Sequence, residues 1–246
     1  QMALVCEALL TRDELAGVIR LMKEAVRPDG ALFYSSKPAT GQNLIWEAHV
    51  QIVAGCLMGD RKYLATYARR AEAEMQVSLQ EGVQPDYSFH QHGVQLYSGG
   101  YGANFTEDCA RLIAVLHGTS FAFNPQTVET VIRHLLDGQQ WMIRGRRWDF
   151  GPVGRWVAWP AGVDTASDWR AGFPGATGLA QACRDLGPFS GDRRKEMEAF
   201  ESRLRGDAPP NAALPLGYRV FWRSDYVTYV RPGFSVAVRM SSRRAI

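Results

Sequence analysis

Lysine is nearly missing from this 246-residue chain: 24 of its 28 basic residues are arginine, and the formal net charge is only +3. The planar guanidinium fork suits carboxylates and sulfates better than a compact ammonium does. Its densest group is Arg144, Arg146, Arg147 and Arg155. No helix-turn-helix, zinc-finger or single-strand-binding motif accompanies that group, so no nucleic-acid partner is expected. Cysteine is scarce too. Cys6, Cys56, Cys109 and Cys183 are far apart and form no CxxC pair, which argues against a metal site. Cys6, Cys56 and Cys109 sit among apolar neighbours and are expected to be buried small hydrophobes. Long apolar runs are missing: the stretch from Cys109 to Leu116 falls well short of the roughly 18 to 20 residues that cross a bilayer. No membrane partner is expected. The segment Gln1 to Leu10 reads as amphipathic helix and lacks the basic n-region and cleavage site of a signal peptide. Any secretion signal would have been removed or would lie upstream. There is no internal repeat and no low-complexity tract.

What the chain does have is 46% hydrophobic residues, enough for a substantial core. Thr11 with Glu14 three residues on is a capping box, and Leu15, Val18, Ile19 and Met22 follow at helical spacing. This helix is expected to end near Arg27-Pro28-Asp29-Gly30. A second helix is predicted from Leu44 to Met58 and a third from an Asp60 cap to about Leu79. A fourth is predicted from a Thr106 cap, over Glu107 to about His117, and a fifth behind Asn124-Pro125. After about Pro209 the texture changes. Tyr218 to Arg223, Tyr226 to Arg231 and Phe234 to Met240 are aromatic and β-branched runs separated by turn signals, predicting a three-strand antiparallel meander.

One loop, Glu81 to Gly102, is long. Between Gln84 and Gly102 it holds two histidines, three tyrosines, an aspartate and four glycines within 19 residues. Long structured loops in compact domains are usually functional, and the glycines permit a turn tight enough to bring His92 and Tyr101 together. By composition it is either a site or an aromatic structural loop.

The segment Asp86 to Gly102, with His92-Gly93 and then Tyr101-Gly102, resembles the central motif of polysaccharide lyase family eight. Three further segments agree in order: Thr40-Gly41-Gln42-Asn43; Trp148-Asp149-Phe150 followed by Gly154-Arg155; and Phe221-Trp222-Arg223-Ser224-Asp225 with Arg239-Met240-Ser241-Ser242. The resemblance implies a mainly α fold, an incomplete α/α toroid followed by the first strands of an antiparallel β-sandwich domain. The expected division is 1–209 for the toroid and 210–246 for the β-part. It further implies a fragment, because the family's first toroid helices and Trp-rich substrate patch have no counterpart before Gln1 and its β-domains none after Ile246.

The activity implied is β-elimination at a uronate in an acidic polysaccharide, with no cofactor and no metal. The protein would act as a monomer, secreted or periplasmic. The uronate's C5 proton is weakly acidic because the neighbouring carboxylate is already negative. Asn43 matches the family's asparagine and would neutralise that carboxylate through amide hydrogen bonds. His92 would hold the carboxyl group or assist as base. Tyr101 would take the C5 proton and return it to O4. A phenol ionises near pH ~10 in water, so it needs a cation close by, which Arg155 would supply. Trp148, Trp156, Trp159, Tyr97 and Arg147 are the expected substrate-binding residues, with Trp46 and Trp141 as further aromatic candidates. At Trp159 the family pattern leads one to expect a second arginine, and its loss puts the preferred substrate charge in doubt.

Each role has a plainer competitor. Asn43 could be a helix cap, His92 a hydrogen-bonded loop histidine, Tyr101 a packed aromatic, and Arg155 the partner of Asp149. Tyr97 and Tyr87 read as structural or sugar-contacting, some of the tryptophans, Trp141 above all, as core, and His90 as structural, while His49, His117 and His134 read as incidental. A competing function is an inverting glycosidase, since α/α toroids host those as well, with acids among Asp86, Glu107, Asp108 and Asp149. A non-catalytic glycan-binding relative or inactive fragment is the third.

Overall fold

The computed structural model describes residues 7–26, 37–158 and 176–242. They belong to two compact units, Gln1–Glu74 and Met75–Ile246. The change from helices to strands lies within the second.

In the first unit, α1 (Arg12–Glu24) opens on the predicted capping box. The Thr11 hydroxyl accepts from the Glu14 amide at 3.3 Å, and the Glu14 carboxylate accepts from the Thr11 amide at 2.8 Å. Helix α2 (Gly41–Met58) starts three residues before the predicted point, with Thr40 in the N-cap position. It is apolar around most of its circumference, as a helix buried on several sides must be. Two of its buried polar side chains find partners: Glu47 in Arg70 at 2.6 Å and Gln51 in the Tyr63 hydroxyl at 2.6 Å. Both partners lie on α3 (Arg61–Glu74), capped as expected by the Asp60 carboxylate, which accepts from the Tyr63 amide at 2.9 Å. This helix stops short of the predicted Leu79 because the Ser78 amide is taken by the Val83 carbonyl at 2.8 Å, which turns the chain. Of the expected Gln1 to Leu10 helix, the described part is one short 3-10 turn, Glu7–Leu9. Cys56, expected to be buried, is exposed. The last turn of α2 points Gly55 and Leu57 inward and so sends Cys56 out.

The second unit begins with a two-strand ribbon, β1 (Gly82–Val83) against β2 (Phe89–His90). Helix α4 (Tyr101–Leu116) follows, then α5 (Pro125–Arg133) behind its Asn124 cap. A π-helical turn His134–Gly138 and a 3-10 turn Gln139–Met142 lead into a hairpin of β3 (Ile143–Arg144) and β4 (Arg147–Trp148). Behind it comes a kinked 3-10 segment, Gly151–Ala158. Helices α6 (Ala176–Leu186) and α7 (Arg194–Arg205) pack on one another, and α6 also packs on α4. Cys183 of α6 is buried in this layer, although its sequence neighbours gave no reason to place it there.

Helix α4 corrects the predicted start at Glu107. Thr106 is no cap: its hydroxyl lies inside the helix, 3.0 Å from the Gly102 carbonyl and 2.9 Å from the Gln139 side-chain oxygen. The N-cap is Gly100, so Tyr101 is the first helical residue. That difference matters because a helix terminus fixes a side chain better than a loop does.

The meander has the predicted order β5 (Gly217–Phe221), β6 (Tyr226–Val230), β7 (Ser235–Arg239), all antiparallel. Its register aligns Val220 with Val227 and Val238, and Phe221 with Tyr226 and Arg239. With side chains alternating between faces, Phe221, Tyr226, Thr228 and Val230 are turned inward and buried. Tyr218, Val220, Val236 and Val238 are exposed on the other face.

Candidate active site

The aromatic loop is shaped by one tight turn. His92 (φ 59) and Gly93 (φ 84) both adopt the left-handed region. Glu81 holds them there, its carboxylate accepting from the Gly93 amide at 2.6 Å and from the Gln91 side chain. Returning, the chain pairs Leu96 with His90, and the Tyr97 amide donates to the Phe89 carbonyl at 2.8 Å. The Gly102 amide then donates to the Tyr97 carbonyl at 3.0 Å, which seats Tyr101 over its own loop. Three rings consequently meet edge to face. His92 lies 4.9 Å from Tyr101 and 6.1 Å from Tyr97, and the two tyrosines are 5.1 Å apart. The predicted meeting of His92 and Tyr101 is what the turn produces.

Arg155 reaches this cluster from the other side. Gly154, just before it, has φ 57 and ψ −133, and a Cβ there would lie 2.4 Å from Cζ of Tyr97. Only glycine fits both the backbone angles and the ring. Gly99 permits a second close approach: its amide donates to the Pro152 carbonyl at 2.9 Å, and a Cβ would stand 2.8 Å from Val153. Held this way, Arg155 donates its backbone N–H to the Tyr97 hydroxyl at 3.3 Å and its Nη2 to the Tyr101 hydroxyl at 3.2 Å. His92 and Arg155 are exposed and Tyr101 is half-buried, so the cluster opens to solvent.

The competing reading in which Arg155 pairs with Asp149 does not describe this structure. Asp149 accepts from the Tyr226 hydroxyl at 2.7 Å and from the Gly151 amide at 3.0 Å, both at Oδ2. Burial first, and then the Asp149 carboxylate, hold the Tyr226 phenol well above its ordinary range, so it acts as the donor in that bond. The sequence gave no sign of this pair, because 77 residues separate its members. Sequence reasoning also missed His134. It is fully buried and pushed down to about 4 chiefly by burial, and its Nδ1 lies 2.8 Å from the Tyr87 carbonyl at the root of the aromatic loop.

His90 is structural, as expected. Burial lowers it to about 4, and its Nε2 meets the Ser224 hydroxyl at 2.9 Å. Asp86 accepts from the Ser88 hydroxyl and the Arg223 amide, both at 2.6 Å, which ties the loop to the β5–β6 turn. These commitments weigh against the glycosidase reading. Asp86 and Asp149 are occupied inside the protein, and Glu107, pushed up to about 7 chiefly by burial, packs against α6 at Gly178. Among the described residues no three His, Cys, Asp or Glu side chains converge as a metal site requires.

Asn43 belongs to the first unit. It is the third residue of α2 and so not its cap, which is Thr40. Its amide oxygen is buried without a hydrogen-bond partner among the described residues. Such orphans are uncommon.

Two of the expected substrate contacts are largely buried. Tyr97 is 1% exposed and packs under Gly154, and burial raises its phenol, so it offers no face to a sugar. Trp148 is 9% exposed, its ring carbons filling the space left by Gly99. It lines a cavity of about 200 Å³ beneath the three-strand sheet, with Trp141 and Tyr226. Arg147 is exposed beside it, and Trp46 is 42% exposed on α2. Trp159 and the Trp156 side chain lie outside the described residues.

Residues 5–165 match the profile of the polysaccharide lyase family 8 N-terminal alpha-helical domain, and that stretch contains all four residues assigned to catalysis. The chain belongs to polysaccharide lyase family 8. A curated relative, chondroitinase-AC of Pedobacter heparinus, is 29% identical over 174 residues, which are 68% of this chain and 22% of the relative. The solved structures agree on the fold. A chondroitin AC lyase of Streptomyces coelicolor A3, in complex with chondroitin sulphate, has a TM-score of 0.75 at 21% identity. It covers 99% of this chain, which spans 36% of it. A xanthan lyase of Paenibacillus has a TM-score of 0.66 at 21% identity, covering 99% of this chain and 24% of its own. Within family 8, then, this chain corresponds to the mainly helical part with a few small antiparallel sheets.

Proposed function

We propose that the chain carries the catalytic centre of a lyase that cleaves an acidic, uronate-containing polysaccharide by β-elimination. The observation that supports this most is the hydrogen bond from Arg155 Nη2 to the Tyr101 hydroxyl at 3.2 Å, with His92 edge-on to the same ring. A phenol placed beside a guanidinium and open to solvent suits a proton carrier; a phenol sealed in a core, like Tyr97, does not.

In this reading the Tyr101 oxygen takes the C5 proton. The electron pair of the C5–H bond forms the C4=C5 double bond, the C4–O4 bond breaks, and the same proton passes from Tyr101 to O4. The products are a 4,5-unsaturated uronate and a new chain end. Arg155 supplies positive charge at the phenolic oxygen while it lacks a proton, a preorganised stabilisation of the kind that dominates many enzymes. His92 holds the substrate carboxylate or shares the proton. Polymers of this size are met outside the cytoplasm, which favours the periplasm or the medium as the place of action.

The test is a panel of hyaluronan, chondroitin, xanthan and alginate, followed by ultraviolet absorbance of the unsaturated product. Appearance of that band on a uronate polymer, with loss of polymer length, supports the reading. Chain cleavage without the band points to hydrolysis, and binding without cleavage to a glycan-binding relative.

A further inference from the structure

The segment that delivers Arg155 is clamped at both ends. At its far end Arg155 meets Tyr97 and Tyr101. At its near end Asp149 is fixed three times: its amide donates to the Met142 carbonyl at 2.8 Å, and its Oδ2 accepts from the Gly151 amide and from the Tyr226 hydroxyl. Two residues on, the Gly151 carbonyl accepts from Nη1 of Arg239 at 2.9 Å. Tyr226 and Arg239 are register partners on β6 and β7. Two neighbouring strands thus grip the start of the segment. Between the clamps the chain passes through Gly154, whose backbone angles only glycine adopts comfortably, so the entry direction at Asp149 sets where the Arg155 guanidinium arrives.

We propose that the Asp149–Tyr226 hydrogen bond positions Arg155, so that the three-strand sheet contributes to turnover without touching substrate. Asp149 and Tyr226 are positioning residues, acting through Arg155. Tyr226 is buried and its hydroxyl is spent on Asp149, which leaves it no direct part in proton transfer. The inference rests on the role given to Arg155 above. Misplacing a reacting group by about 1 Å costs as much as ~100-fold in rate, so a bond that trims its position has room to matter.

The experiment uses the whole natural protein and compares Tyr226→Phe, Asp149→Asn, Asp149→Ala, Arg155→Ala and the double variant Tyr226→Phe/Arg155→Ala. Tyr226→Phe keeps the ring and loses the donor; it should lower kcat about tenfold with KM within about twofold. Asp149→Asn keeps a carbonyl acceptor and should retain more turnover than Asp149→Ala. In the Arg155→Ala background the Tyr226→Phe change should cost less than about twofold, because coupled residues are non-additive. An equal loss in both backgrounds overturns the proposal. A second readout needs no substrate: the ¹⁵N resonance of the Arg155 guanidinium should move or broaden in Tyr226→Phe. If it stays where it is in the wild type, Arg155 is not positioned from β6 and the idea fails. A wild type that yields no unsaturated product removes the lyase reading, while the resonance still decides the positioning.

Discussion

The Tyr101 hydroxyl accepts a hydrogen bond from Nη2 of Arg155 at 3.2 Å, although 54 residues separate the two in the chain. Two different devices bring them together. Tyr101 is fixed by standing first in α4, and Arg155 by a kinked segment whose glycine rests on the Tyr97 ring. The pair is therefore built from both sides of the loop rather than left to a surface contact.

Arg155→Ala should lower kcat by about 100-fold or more, the usual cost of deleting a preorganised donor at developing charge. Arg155→Lys should lie between alanine and the wild type, since it restores charge without the fork. Steady-state kinetics on the best polymer of the panel checks this. A rise in KM alone would move Arg155 from the transition state to ground-state binding.

Gly154→Ala should damage the site and the fold together. The backbone strain is worth ~1–3 kcal/mol, and the new methyl, 2.4 Å from Tyr97, adds an overpacking cost. The expected result is a lower denaturation midpoint together with a loss of turnover. Full stability and full activity would mean that the Gly154–Tyr97 contact does not shape the segment.

Glu107 gives a pH dependence with a definite sign. Burial chiefly, with a further push from Asp108 and an opposing pull from Arg111, raises its carboxyl to about 7. A raised carboxyl favours the protonated folded state. Its stability is fully present below the ordinary value of 4.5 and falls as pH rises from there to about 7, then stays level. The loss is on the order of 3 to 4 kcal/mol at most, because each tenfold gain in proton affinity on folding is worth ~1.4 kcal/mol. Glu107→Gln should flatten the curve of unfolding free energy against pH over that window and stabilise the protein above it. An unchanged curve would show that Glu107 ionises at no cost.

Much of the fold was legible where local chemistry decides it. The Thr11-Glu14 capping box, the Asn124-Pro125 helix start and the three strands after 209 depend on residues a few positions apart, and each is found. The site was legible through its motif and its turn, which joined His92 to Tyr101. What could not be read were competitions settled by distant partners. Thr106 looks like a cap until Gly100 takes that place and Gln139 engages its hydroxyl. Tyr97 reads as either structural or sugar-contacting until Gly154 is laid over its ring, and Asp149 looks like a mate for Arg155 until Tyr226 arrives from β6. Cys56 looks buried among apolar neighbours until the helix phase is known.

The most direct test of the central claim is the Tyr101→Phe variant, which keeps the ring against His92 and Tyr97 and removes only the oxygen that Arg155 touches. On a polymer that the wild type cleaves, production of unsaturated uronate should fall by about 100-fold or more, the typical contribution of a proton-transferring group. Binding of the polymer, measured by calorimetry, should remain within about threefold of the wild type because no substrate-holding group is lost. Retention of more than about a tenth of wild-type turnover would contradict the account, since a proton carrier cannot be removed so cheaply.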